Sequence, residues 1–288
     1  MPTLTSATGD TFRKLHEQDG TLGFVPTMGA LHAGHASLIE LAAKQCDSVV
    51  VSIFVNPAQF GEDEDFDHYP RTLEADIEVA TAAGTDYIFV PNLEEVYPDY
   101  PVTSVLTSSD GSIKVSSLTV VVAQHWEGEF RPNHFEGVVA VVKRLFEMVK
   151  PDKAYFGEKD YQQLRVIEDM ICDLNLPLEI VPCPTLRDEN GLALSSRNRY
   201  LSAEERVIAQ SIYQALHAAS TLAAEGIVDV KTLLSSAAAI LDDRIEVDYL
   251  VIVDSQSLEP LESLAGTPAR ILFAGKVGTT RLIDNLAL

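Results

Sequence analysis

Short apolar runs rich in β-branched residues alternate with stretches of helical spacing through the first two thirds of this chain, and that alternation limits the folds open to it. The runs cover residues 21–27, 47–55, 86–90, 153–156 and 178–182; the helical patterns cover 36–46, 72–83, 135–149 and 161–173. A strand that is apolar along its whole length is buried on both faces, which requires helices above and below the sheet. The pattern predicts an α/β fold with a doubly wound, Rossmann-like parallel sheet. In such sheets ligands sit beyond the carboxyl ends of the strands, where the strand order reverses.

Two segments depart from this rhythm. Residues 103–126, with the run Leu118-Thr119-Val120-Val121-Val122, suggest a small antiparallel excursion. From Ser202 the texture changes again. Ser202-Ala203-Glu204-Glu205 resembles a capping box opening a long Ala-rich helix. A second helix is expected near 230–241. Strands at 245–253 and 270–274 and a short terminal strand complete a smaller α+β unit. Asn175-Leu176-Pro177 and Pro182-Cys183-Pro184 break regular structure between the two textures. The expected domains are therefore residues 1–180 and 181–288.

A chain of 288 residues, 46% of them hydrophobic, has enough apolar surface for a full core. Its formal charge of -22 argues against a general nucleic-acid binder or a partner of acidic membranes. Any anionic ligand needs a local pocket of positive charge, so the few basic residues near glycines carry weight. The three cysteines, Cys46, Cys172 and Cys183, form no CxxC pair and read as buried thiols of a reducing compartment. No apolar run reaches the length that spans a bilayer, and the first residues lack a basic and apolar leader. These features predict a soluble, cytoplasmic protein.

The chemistry concentrates after strands and before helices. Residues 26–37 read Pro-Thr-Met-Gly-Ala-Leu-His-Ala-Gly-His-Ala-Ser, at the junction of the first run and the first helical pattern. A helix start offers unpaired N–H groups and partial positive charge to a phosphate. His32 and His35 add donors there, and Gly29 and Gly34 open the backbone to a nucleotide. The alternative is a turn with one surface and one core histidine. Asn56 and Gln59, at the end of the second run, either orient a hydroxyl or carboxylate or simply build an Asn-Pro turn. Gly157-Glu158-Lys159-Asp160 joins another strand to a helix. Lys159 offers a point charge, and Asp160 either accepts from ribose hydroxyls or caps the helix. Ser195-Ser196-Arg197 suits a polyphosphate, or is a solvated loop before the next helix. Arg131 adds positive charge before a helix, and the acidic run 62–67 reads as a solvated loop.

Taken in order, six stretches resemble the pantothenate synthetases, also called pantoate–β-alanine ligases, within the nucleotidylyltransferase superfamily. They are residues 26–35, 54–60, 69–72, 131–135, 156–163 and 195–198. The likeness covers nearly the whole chain and is weak over 103–130. Ala58, Leu194 and Asn133 depart from the expected pattern. The resemblance implies ATP-dependent condensation of (R)-pantoate with β-alanine to pantothenate through pantoyl-adenylate, releasing AMP and pyrophosphate. It implies His35, His32 and Lys159 as catalytic residues. It implies ATP contacts from Met28, Gly29, Ala30, Leu31, His32, Ala33, Gly34 and His35, from Gly157, Glu158, Lys159 and Asp160, and from Leu186, Leu194, Ser195, Ser196 and Arg197. Gln59, Gln163, Asn56 and Arg131 would hold pantoate and β-alanine. On this resemblance, residues 1–180 bind ATP and pantoate and residues 181–288 close over the site. Magnesium is expected with the ATP, with Asp76 as a neighbour and no ligand set assigned, and a homodimer is expected. Two rivals are a transferase that keeps the nucleotide in its product and a nucleotide sensor. The neutral Gln59 and Gln163 argue against the first; His32, His35, Lys159 and Arg197 together argue against the second.

Overall fold

The computed structural model describes residues 3–5, 20–61, 66–98 and 122–288. The excursion expected over 103–126 and the acidic run 62–67 lie outside the described residues, except for 122–126 and 66–67. The chain divides into two compact units, Met1–Glu158 with Gln163–Pro184 and Lys159–Gln162 with Thr185–Leu288.

In the first unit the elements run β1 (Thr3–Thr5), β2 (Leu22–Thr27), α1 (Ala33–Gln45), β3 (Ser48–Ile53), α2 (Leu73–Ala83) and β4 (Tyr87–Phe89). They continue with α3 (His134–Val149), β5 (Lys153–Gly157), α4 (Tyr161–Leu174) and β6 (Glu179–Cys183). The strands form one parallel sheet in the order β1-β4-β3-β2-β5-β6. From β2 the chain steps outward through β3 to β4, then returns to place β5 on the other side of β2. The strand order therefore reverses between β2 and β5, and both of their carboxyl ends lead into motifs singled out above.

Side-chain alternation covers both faces. Val25, Val51 and Ile88 share one face with Ile39 and Ala42 of α1 and Ala80 and Ala83 of α2. On the other face Phe24 meets Phe146 of α3 edge-on at 6.2 Å, and Phe146 meets Phe156 at 6.4 Å. Burying each of these large apolar side chains stabilises the fold by about 1.5–3 kcal/mol. The doubly wound sheet expected from the apolar runs is present. Its edge strand β1 had no signal in the sequence pattern, and α1 starts three residues before the expected 36 because a histidine caps it.

The second unit contains α5 (Ala203–Ala224), α6 (Val230–Ala238) and an antiparallel sheet of β7 (Ile245–Asp254), β8 (Ala269–Val277) and β9 (Thr280–Ala287) in that order. The expected capping box opens α5. Ser202 Oγ accepts the Glu205 N–H at 3.2 Å, and the Ser202 N–H donates to Glu205 Oε2 at 2.8 Å. Ile208, Ile212 and Leu216 of α5 and Leu233 of α6 pack against Ile252, Ile271 and Phe273 of the sheet. The terminal strand is not short. It pairs with β8 from Val277 beside Thr280 to Arg270 beside Ala287. Asp284 and Asn285 interrupt its apolar pattern, yet they are only 5% and 4% exposed. Buried polar groups of that kind need partners, and those partners bear on the site.

Candidate active site

At the carboxyl end of β2, the Thr27 hydroxyl donates to Ser52 O at 2.7 Å and accepts the Gly29 N–H at 3.1 Å. Gly29 and Ala30 follow with φ of 80° and 51°. A β-carbon on Gly29 would lie 2.9 Å from Asp76 Oδ2, so space and backbone both call for glycine. Asp76, 2% exposed on α2, accepts the Ala30 N–H at 3.1 Å, the Leu31 N–H at 2.7 Å and the Thr72 hydroxyl at 3.2 Å. These donors compensate a buried carboxylate and fix the loop 28–31. Both Asp76 oxygens are thus engaged, one by Ala30 and the other by Leu31 and Thr72.

The loop delivers the chain to a reciprocal histidine cap. His32 is the N-cap of α1, and its Nδ1 accepts the Gly34 N–H at 3.1 Å. The His32 N–H donates to His35 Nδ1 at 3.3 Å. His-x-x-His thus occupies the places of Ser/Thr and Glu/Gln in an ordinary capping box. The ring centroids are 4.2 Å apart. Because Nδ1 accepts in both rings, each neutral imidazole carries its proton on Nε2, a donor at a helix N-terminus.

Asn56 ends the β3 connection and caps the 3₁₀ turn Pro57–Gln59. It is 0% exposed. Its Oδ1 accepts the Tyr97 hydroxyl at 2.9 Å and the Ala58 N–H at 3.2 Å. Its Nδ2 donates to Gln59 Oε1 and Gly137 O, both at 3.0 Å. A β-carbon at Gly137 of α3 would lie 2.1 Å from Ala58 O, so glycine lets helix and turn meet. Asn56 was expected to touch substrate, but its amide is used inside the protein. Donation by Asn56 orients the Gln59 amide, leaving its NH₂ as the group not engaged by Asn56. Gln59 O accepts His134 Nδ1–H at 3.0 Å and an Arg131 NH2 donor at 3.4 Å. Arg131 NH1 lies 3.0 Å from His134 Nε2. A carbonyl only accepts and a guanidinium only donates, so neutral His134 is the Nδ1–H tautomer. Arg131 also braces the Gln59 turn. Gln163, on α4, is half-buried.

After β5, a 3₁₀ turn Glu158–Asp160 leads into α4. A β-carbon on Gly157 meets nothing within 4 Å among the described residues, so packing does not demand glycine there. Lys159 Nζ lies 3.6 Å from Asp160 Oδ1.

Residues 186–194 form a tight hairpin in the second unit. The Asp188 N–H donates to Leu192 O and the Leu194 N–H to Leu186 O, both at 2.9 Å. Gly191, at φ 90°, presses on Tyr213, where a β-carbon would approach to 2.1 Å. Arg187 pairs with both Asp284 oxygens at 2.6 and 2.8 Å and stacks 4.4 Å above the Tyr213 ring. Ser195 then caps the 3₁₀ turn Ser196–Tyr200 by accepting the Arg197 N–H at 3.3 Å.

The structure thus brings together His32 with His35, Asn56 with Gln59, Arg131 and His134, and Lys159 with Asp160. Tyr97, Arg187, Asp284 and Asn285 lie in none of the sequence motifs. A polar pair inside an otherwise apolar terminal run was the one signal for the last two. Among the described residues no group of three or more His, Cys, Asp or Glu is placed to hold a metal ion, and no helix is long and apolar enough to cross a membrane. These residues do not form a protein cage for magnesium.

A parallel sheet with a histidine-capped helix start at its switch point defines a doubly wound α/β protein. The family described as pantoate-beta-alanine ligase matches residues 3–287, and the chain belongs to it. A bifunctional pantoate ligase/cytidylate kinase of Synechococcus elongatus is 49% identical over 93% of this chain, which spans 50% of that relative's length. The crystal structure of pantothenate synthetase from Thermus thermophilus superposes with a TM-score of 0.88 at 44% identity, covering 99% of each chain. Pantoate-beta-alanine ligase from Francisella tularensis, solved in complex with beta-gamma ATP and beta-alanine, superposes at 0.76 with 32% identity, covering 100% of this chain and 98% of that one.

Proposed function

We propose that this chain condenses (R)-pantoate with β-alanine at the expense of ATP, forming pantothenate, AMP and pyrophosphate through pantoyl-adenylate. The observation that carries this reading is the reciprocal cap of His32 and His35 at a helix start that follows β2, which leaves the neutral rings with Nε2–H donors. Family membership supplies the substrates.

In the first step a pantoate carboxylate oxygen attacks the α-phosphorus, and the bond from that phosphorus to the bridging β-oxygen breaks. Pyrophosphate leaves with the bond's electron pair. Such a displacement needs alignment and charge stabilisation more than covalent help. His32 and His35 donate to the phosphates through Nε2, and Lys159 follows the charge developing on the leaving group. Residues 28–31 and 157–160 flank the nucleotide, Leu186 and Leu194 meet the adenine side, and Ser195, Ser196 and Arg197 hold the triphosphate. Gln59 and Gln163 hold pantoate. Asn56 and Arg131 act one step back, by fixing Gln59. In the second step the neutral β-alanine amine attacks the anhydride carbonyl, the carbon–oxygen bond to phosphate breaks, AMP leaves, and the ammonium proton passes to solvent.

Magnesium accompanies the nucleotide in this reading, the protein is a cytoplasmic homodimer, and residues 1–180 and 181–288 are its domains. Support comes from the family resemblance, the need of ATP phosphates for a counter-ion, and three unpaired cysteines. The test is AMP release with ATP, pantoate and β-alanine. AMP formation without pantoate, or none with all three, defeats the proposal.

A further inference from the structure

We propose that Asn285, on the terminal strand, is a positioning residue that sets the place of Lys159; the inference rests on the nucleotide role proposed for that lysine. Lys159 follows β5 in sequence, yet residues Lys159–Gln162 cluster with the C-terminal unit. Asn285 is one of the residues that tie them there. Its Nδ2 donates to the Lys159 carbonyl at 2.9 Å, and its Oδ1 accepts from Arg270 NH1 on β8. The Arg270 guanidinium lies 3.8 Å above the Tyr161 ring, and the Tyr161 hydroxyl donates to Ser255 O at 2.7 Å. The lysine backbone and the start of α4 are therefore clamped to the antiparallel sheet.

The neighbouring residue completes the device. Successive strand residues point to opposite faces, and the register sets Asp284 beside Phe273 and Asn285 beside Leu272. On the core face Asp284 holds Arg187 of the hairpin 186–194 by two bonds. On the opposite face Asn285 holds Lys159. The Arg187 guanidinium also donates to Asn285 O at 3.2 Å, and the Asn285 N–H to Asp284 Oδ1 at 2.8 Å. One dipeptide fixes two segments assigned to the nucleotide, so the distance between them is set by the thickness of a strand. Placing a charge to within a fraction of an ångström matters for a displacement that depends on alignment.

Two variants separate the bonds. Asn285→Asp keeps an acceptor for Arg270 but has no donor for the Lys159 carbonyl; Asn285→Ala removes both. Each is made in the full chain, alone and combined with Lys159→Ala, and the pantoate-dependent exchange of labelled pyrophosphate into ATP is followed after folding is checked by circular dichroism. Loss of a positioning bond predicts an exchange rate about tenfold lower with the KM for pantoate unchanged. In the Lys159→Ala background neither variant should lower the rate further, because a residue acting through the lysine has nothing left to position. Losses that multiply across the two sites, or folded variants that exchange at the parent rate, overturn the inference while leaving the functional reading intact. A parent protein without exchange overturns that reading and the inference with it.

Discussion

His32 donates its backbone N–H to the Nδ1 of His35 while its own ring Nδ1 accepts from the Gly34 N–H, so backbone donors fix the tautomer of both histidines. Structure and chemistry are joined here in the same atoms: the nitrogen that caps the helix decides which nitrogen can face a phosphate.

Asparagine at 35 should separate these roles. Its side-chain oxygen can take the place of Nδ1 in the cap, but nothing replaces Nε2–H. His35→Asn should keep the parent's thermal midpoint within a few degrees and lose on the order of 3 kcal/mol of transition-state stabilisation in adenylation. His35→Ala should lose the cap as well, at about 1 kcal/mol of stability. Single-turnover adenylation and thermal melts decide; equal adenylation by His35→Asn and parent would remove the histidine from the chemistry.

Asn56→Asp is nearly isosteric but exchanges a donor for a charge facing Gln59 Oε1 and Gly137 O. Freed from its partner, the Gln59 amide loses its orientation. The KM for pantoate should rise at least tenfold while ATP binding changes little, and stability should fall by about 1–3 kcal/mol from the unpaired buried groups. Equal effects on both substrates would mean that Asn56 only holds the turn together.

Gln163→Leu removes a donor and an acceptor at similar size. Pantoate should bind roughly 1–3 kcal/mol more weakly in calorimetric titration, with ATP affinity little altered. Equal losses for both ligands would make Gln163 a structural residue.

The three thiols should differ sharply. Burial pushes Cys183 up from an ordinary 9.0 to about 12, with the Glu158 charge adding to it, whereas Cys172, expected to be buried, is exposed near the end of α4. In the unfolded chain Cys183 ionises near its ordinary value, so its contribution to stability is complete below about pH 9 and is lost as pH rises toward 12. Burial also raises Cys46 and Tyr155, in the same direction. Chemical denaturation from pH 8 to 11 should show falling stability, with a shallower slope in Cys183→Ala. Alkylation at pH 8 should label Cys172 first; early labelling of Cys183 would contradict its burial.

Local pattern alone determined five of the parallel sheet's six strands, the helices between them, the Ser202–Glu205 capping box and the placing of His32, His35 and Lys159 at strand-to-helix junctions. Periodicity, capping and the reach of a helix N-terminus are properties of neighbouring residues, so they can be read along the chain. Tertiary structure decided what depends on contacts between distant residues. Asp76 became the anchor of a loop more than forty positions away, and Asn56 spent its amide on Gly137 and Tyr97. Asp284 and Asn285 looked like an interruption of a strand because their partners, Arg187, Arg270 and Lys159, stand far off in the sequence. A polar side chain carries no mark of whether water or a buried partner will satisfy it; that depends on which distant groups the fold brings within hydrogen-bonding distance.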